Sequence, residues 1–332
     1  MNLRNAARSA ALAATASLLL LAGVPSAARS ATTWTVIVGG QTPDISVYAN
    51  GFFPRELTIH TGDIVLFQFA GFHNVTFLGG AAPPPFAIKD GTGYDGNPRV
   101  FFPAGSSTYD GAGFHSSGVT PAAKPFSYSL RFTKPGRYEY VCTLHPGMMG
   151  IINVVDGPAP ETPEAALARG KTEQAATLAA GMKAYDNLNA QITGSNVVVT
   201  LVGDRQERYS VLRFTHEPLV IATGTTVTWI VNDPFEIHTV TFASGAQLPQ
   251  FITPRAQASG PPKLVLSNAA LMPTSIKTYD GTGWINSGLL AAPGAPSNAP
   301  SSFSLTFTKP GRYVYWCLVH DEAHQEGIII VK

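Results

Sequence analysis

Residues 132–145 read FTKPGRYEYVCTLH, and residues 307–320 read FTKPGRYVYWCLVH. The two stretches lie 175 positions apart and hold the only two cysteines of the 332-residue chain, each three positions before a histidine. In both, a Pro–Gly turn leads into a run rich in aromatic and β-branched residues, the composition of a half-buried strand. Two further pairs of stretches keep the same order upstream. YDGAGFHSSG (109–118) matches YDGTGWINSG (279–288), and FHNVTF (72–77) matches IHTVTF (237–242). The separation drifts from 165 to 175 positions, so loops differ in length while elements keep their order. A repeated unit this long is a whole domain rather than a solenoid repeat.

Each unit reads as all-β. ELTIHTGDIVLFQF (56–69) and PLVIATGTTVTWIV (218–231) are strand, glycine turn, strand; GIINVV (150–155) and GIIIVK (327–332) close the units. Short strands with Pro/Gly punctuation indicate a sandwich or barrel. The domains are expected over 32–156 and 192–332. Between them, 157–191 changes character: Thr162 is an N-cap candidate, Pro163 suits the first helical position, and the alanine-rich run after it favours helix. Gly170 and Gly181 weaken that helix; Leu167, Leu178, Met182 and Tyr185 are expected to pack it on a domain.

Residues 1–30 stand apart. Arg4 and Arg8 precede an apolar run ending near Val24 and then small residues, the layout of a secretory signal peptide cleaved around Ala28 to Ala31. An uncleaved amino-terminal anchor is the competing reading, although the run is short for a span and none follows it. The mature chain is therefore expected to be exported, periplasmic or extracellular, with no stable membrane span. A formal net charge of +1 with 13% charged residues gives no electrostatic reason for a nucleic-acid or anionic-membrane partner.

Two cysteines in an exported chain would ordinarily suggest a Cys142–Cys317 disulfide. Their surroundings point elsewhere. Each half offers one thiolate, a histidine three positions on, and a histidine far upstream, expected in a strand: Cys142, His145 and His73, then Cys317, His320 and His238. Neither half has the paired cysteine knuckles of structural zinc or iron–sulfur sites. Two imidazoles and one thiolate are the donor set of a blue-copper centre.

With HNVTF or HTVTF, FTKPGRY followed by Y-x-C, and C-x-x-H before a glycine, both halves resemble cupredoxins of the plastocyanin and amicyanin group. The resemblance implies two Greek-key β-sandwich domains and two copper ions per chain, cycling between Cu(I) and Cu(II). In that family the weak axial ligand stands two positions before a glycine that restarts the strand. This selects Met148 in an amicyanin-like C-x2-H-x2-M loop, with Met149 left to packing. It selects Gln325 in a longer C-x2-H-x4-Q loop, as in stellacyanin-like proteins; His324 is the rival there. An amide oxygen is a harder donor than a thioether and favours Cu(II), so the second site is expected at the lower potential. Electrons would enter there and leave through the first site. The resemblance also implies that His145 and His320 lie near the surface, where redox partner proteins dock, and that Asn74 braces the ligand loop. Thr239 leaves that brace open in the second half.

Duplicated cupredoxins also occur in oxidases. Those need His-x-His pairs and a histidine beside the ligand cysteine, and this chain has neither: Val141, Thr143, Trp316 and Leu318 flank the cysteines. GTGYDGNP (91–98) lacks phosphate-loop spacing and reads as a surface loop, no G-x-S-x-G elbow is present, and the YDG stretches read as structural loops over the copper end. His60, His115 and His216 have no repeated counterpart. The expectation is an electron carrier without enzymatic activity. A copper store without fast electron transfer, or a scaffold with a degenerate second site, is the alternative.

Overall fold

In TWTVIVG, the strand Thr33–Gly39, Trp34, Val36 and Val38 are buried while Thr35 and Ile37 are partly exposed, the two-residue period of a half-covered strand. The computed structural model describes residues 30–119 and 126–332; the leader over 1–30 lies almost wholly outside them. In the first half one sheet runs Phe52–Phe53, Thr33–Gly39, Ile64–Ala70, Ser127–Phe132, Thr108–Tyr109. The other runs His115–Ser116, Thr76–Phe77, Gly136–Val141, Met149–Val155, Glu56–His60. Phe67 from one sheet meets Phe77 and Tyr140 from the other, at centroid distances of 6.4 and 5.3 Å. Each such side chain contributes roughly 1.5–3 kcal/mol by leaving water. The second half repeats the arrangement: Trp229 meets Phe242 and Tyr315 at 6.1 and 5.2 Å. The architecture is mostly β, as expected.

The residue pairing sets where the chemistry can happen. Gly136–Val141 and Met149–Val155 are antiparallel with Val141 opposite Met149, so residues 142–148 form the loop closing that sheet end. Val141 also faces Thr76, which brings His73, just before Thr76–Phe77, to the same end. In the second half, Trp316 opposite Glu326 and Thr241 opposite Trp316 do the same for 317–325 and His238.

Ala31–Lys332 forms one compact unit, stitched by strands that cross between the halves. Val47–Ala49 pairs with Tyr209–Val211 and thereby joins the second-half sheet. GTGYDGNP is not a free surface loop: Ala87–Asp90 and Gly93–Gly96 are a hairpin whose Asp95 lies opposite Val265 of Lys263–Leu266. Lys263 Nζ also sits 3.0 Å from an Asp95 carboxylate oxygen.

A 24-residue helix, Pro163–Asp186, lies between the halves, its first turn capped by Thr162, whose side chain accepts from the Ala165 N–H at 3.3 Å. Its buried residues are Ala166, Gly170, Thr177 and Gly181, while Leu167, Leu178, Met182 and Tyr185 are only half-covered. The glycines explain the difference. A Cβ on Gly170 would stand 2.7 Å from the Phe53 backbone, and one on Gly181 2.3 Å from the Val47 side chain. Close approach to the strands seats this helix, and of the expected side chains Tyr185 stacks on His216 at 5.0 Å and Met182 Sδ meets Ser46 Oγ at 3.9 Å. No helix among the described residues is long and apolar enough to cross a membrane.

The YDG stretches begin at the sheet end opposite the cysteines, not over the ligand loops as expected. Asp110 pairs with Lys134 at 2.7 Å and Asp280 with Lys309 at 3.0 Å. These lysines precede the cysteine-bearing strands, about 20 Å from their far ends. The far ends of both stretches do reach the ligand segments: Ser117 Oγ accepts from the Val75 N–H at 2.9 Å, Ser287 Oγ from the Val240 N–H at 2.8 Å, and Asn286 Oδ1 from Thr241 Oγ1 at 2.8 Å.

Candidate metal centres

His73, Cys142 and His145 come together with their donor atoms within 4.8 Å of one another, and all three are buried. The two Nδ1 atoms lie 2.9 Å apart, and Cys142 Sγ is 3.4 Å from His145 Nδ1. The Asn74 N–H points at that sulfur from 3.4 Å. Asn74 supplies the expected brace: its Nδ2 donates to Val100 O and Thr143 Oγ1 at 3.0 and 2.7 Å, and its Oδ1 accepts the Thr143 N–H at 2.8 Å. Met148, 1% exposed, lies near His73. His73 Nε2 has no hydrogen-bond partner and packs against Gly39, where a Cβ would stand 2.2 Å away. That glycine also has φ +77, which glycine alone adopts freely.

His238, Cys317 and His320 form the second cluster, again buried and within 4.8 Å. Cys317 Sγ is 3.4 Å from His320 Nδ1 and 4.0 Å from His238 Nδ1. Gln325 Oε1 enters the same space, 3.2 Å from His238 Nδ1 and 3.0 Å from His320 Nδ1. Its rival His324 is exposed, in the left-handed conformation at φ 48. Thr239 does part of what Asn74 does: its Oγ1 accepts the Leu318 N–H at 2.8 Å. The two cysteines remain free thiols, each in its own cluster.

His145 and His320 are 4% and 5% exposed, so neither presents its ring at a surface. The buried carboxylate of Glu236 stands between them. Its Oε2 accepts from His320 Nε2 at 3.2 Å, and its Oε1 is 3.2 Å from His145 Nε2, an ion-pair contact without a well-aligned hydrogen bond. Asp233 lies in the same segment, with Oδ2 3.8 Å from His238 Nε2. Asp233 Oδ1 accepts from the Phe235 and Glu236 N–H groups at 2.9 and 3.2 Å and from Ser210 Oγ at 2.8 Å. Phe235 is buried in the first-half core, although it belongs to the second half of the chain. Arg205 binds Pro146 O and Pro234 O at 3.0 and 3.3 Å, tying the first ligand loop to this segment.

A trace of this was in the sequence. His73 follows Ala70, the end of its strand, by three positions, whereas His238 follows Asn232 by six. The longer second connection, DPFEI, carries both carboxylates and the phenylalanine.

Protonation follows from these neighbours. Burial raises the Cys142 thiol, but His145 and His73 outweigh it and bring it down to about 5. Cys317 is likewise drawn well below the ordinary thiol value by His320 and His238. Burial lowers His145, yet Glu236 and Cys142 carry it up to about 10. His320 is raised well above its usual value by Cys317 and Glu236 against the same penalty. His238 is lifted to about 9 by Asp233 and Cys317, while burial holds His73 low. Glu236 stays ionised despite burial because two imidazoles face it. Each cluster thus gathers thiolate and imidazole donors around protons that a metal ion can replace. The softness of sulfur with two imidazole nitrogens suits copper.

No family model matches the chain, and no curated protein does. Among solved structures it is similar to a reduced Cu(I) form of an amicyanin variant at pH 4, with 23% identity, covering 39% of this chain and 86% of that one, at a TM-score of 0.23. A second Cu(I) amicyanin variant gives 18% identity, 43% and 87% coverage and a TM-score of 0.24. An oxidised variant gives 26%, 30%, 70% and 0.20. Likeness at these TM-scores carries no weight for function; the donor atoms do. The site rests on the His–Cys–His group that the fold gathers in each half.

Proposed function

We propose that this chain is an exported electron-transfer protein that binds two copper ions as mononuclear blue sites. His73, Cys142 and His145 would hold one with Met148 as weak axial donor; His238, Cys317 and His320 would hold the other with Gln325. Copper supplies the one-electron couple. The chain's part is to keep the donors in place, because a rigid cage reduces rearrangement between oxidation states. The β-sandwich does this by drawing ligands from different strands, and the brace residues fix the loops. The observation that carries the reading is the convergence, twice, of one buried sulfur and two Nδ1 atoms.

The test is copper loading of the mature chain. Two ions per chain and an intense band near about 600 nm, from a strong copper–thiolate bond, are expected; no bound copper refutes the reading. Bound copper without that band, or without rapid reduction, favours storage. Redox titration of single-site variants checks the expected lower potential at the glutamine site. Because His145 and His320 are buried, partners would meet the sites through other surface groups.

A further inference from the structure

We propose that Glu236 is a shared positioning residue: one carboxylate, from the second half of the chain, orients a histidine ligand of each metal site and links the two sites. This rests on the metal-site reading above and adds an assignment that the ligand motifs do not contain.

The geometry is two-sided. His145 and His320 turn Nδ1 toward their own cysteine, both at 3.4 Å, and Nε2 toward opposite oxygens of the same carboxylate, both at 3.2 Å. At His320 the carboxylate accepts from Nε2–H, and at His145 it stands in ion-pair contact with Nε2; a carboxylate at Nε2 fixes the tautomer that leaves the Nδ1 lone pair for a metal, and strengthens that donor. Glu236 is 7% exposed, and water does not compete for the role. Its own position is set independently of the histidines. Asp233 Oδ1 holds the Glu236 N–H at 3.2 Å, and Phe235 anchors the segment in the first-half core. Gly71, at the foot of the shorter first-half connection, brings no carboxylate, so one acid serves both sites. An ionised second acid here would add like-charge repulsion inside a buried space.

Two variants separate the outcomes. Glu236→Ala removes the support from both histidines, and copper affinity is expected to fall about 10–100-fold at both sites. Glu236→Gln keeps the volume, but its amide oxygen can accept from only one Nε2–H while its NH2 faces the other. One site should then hold its affinity and the other weaken. A purely structural role would lower both sites in step with stability, so metal-free unfolding is measured beside the copper titration. Each site is read alone in the Cys142→Ser or Cys317→Ser background. A first-site affinity unchanged within about twofold in Glu236→Ala overturns the inference, since the ordinary effect of losing such a support is far larger. So does a Gln variant that weakens both sites equally.

A measurement on the unaltered protein needs no variant to fold. In the Cu(I)-loaded chain, nitrogen-resolved NMR should show slowly exchanging Nε2–H protons on both His145 and His320. Their absence from either ring also overturns it. If the unaltered chain binds no copper, the metal-site reading fails first; if it binds two and these tests fail, only the shared carboxylate is lost.

Discussion

His73 and His238 stand at corresponding places in the two halves, yet opposite means hold them. His73 is wedged by backbone: its ring lies over Gly39, Nε2 has no partner, and burial holds it neutral. His238 is held by charge, with Asp233 at 3.8 Å raising its pKa to about 9. The donor atoms repeat while their supports do not. Repetition of a motif therefore fixes which atoms meet, and the segments around it decide how firmly and at what cost in protons.

The comparison breaks most completely at sulfur. Cys142→Ser or Cys317→Ser should each remove one site outright, since a serine hydroxyl stays protonated and hard where a thiolate bound. Copper per chain should fall from two to one in each variant, with half the absorption lost. Retention of two coppers in either would show that the clusters are not the sites.

A smaller effect separates the two supports. Asp233→Asn takes the charge from behind His238 and should weaken the second site about 10–100-fold while leaving the first unchanged. Equal loss at both sites would mean that Asp233 acts by holding the segment that carries Glu236, not through His238. Competition titration with a chelator reads both affinities.

Proton linkage sharpens the picture without metal. His145 rises from 6.5 to about 10 on folding, so its contribution is complete below 6.5 and is lost as pH climbs through about 10. Cys142 falls from 9.0 to about 5, so its contribution is complete above 9.0 and is lost as pH falls through about 5. Between 6.5 and 9.0 the two slopes oppose each other. Metal-free stability from this pair should be flat there, falling toward 5 and toward 10. Denaturant unfolding across pH tests this, and Cys142→Ser should abolish the acid limb's share from that thiol.

Much of this was legible beforehand for physical reasons. Strand alternation around Trp34 and Val36, the Thr162–Pro163 helix start and the three-residue Cys-to-His spacing are local, so short windows of sequence contain them. Burial of His145 and His320 was not legible, because it depends on the other half of the chain. Nor was the seating of the helix by Gly170 and Gly181, whose value lies in side-chain atoms that are absent. Glu236 left only a length difference between the two connections, which shows that something was inserted but not what it touches.

The finest contrast lies in the braces. Asn74 satisfies Val100 O, Thr143 Oγ1 and the Thr143 N–H at once. Thr239 Oγ1 accepts the Leu318 N–H and, at 3.2 Å, the Thr241 hydroxyl but reaches no carbonyl, and Asn286 takes the carbonyl duty instead, donating to Ala269, Ala270 and Met272 oxygens at 2.9, 3.0 and 3.0 Å. In the first half the position matching Asn286 in the repeat is Ser116, too short for that reach. Asn74→Thr alone should therefore strand a buried carbonyl and cost about 1–3 kcal/mol in metal-free unfolding. Adding Ser116→Asn should recover part of it, a coupling on the order of 1 kcal/mol between neighbours in one network. If the two changes simply add within about 0.5 kcal/mol, the halves do not use interchangeable braces, and the asparagine in each serves its own loop alone.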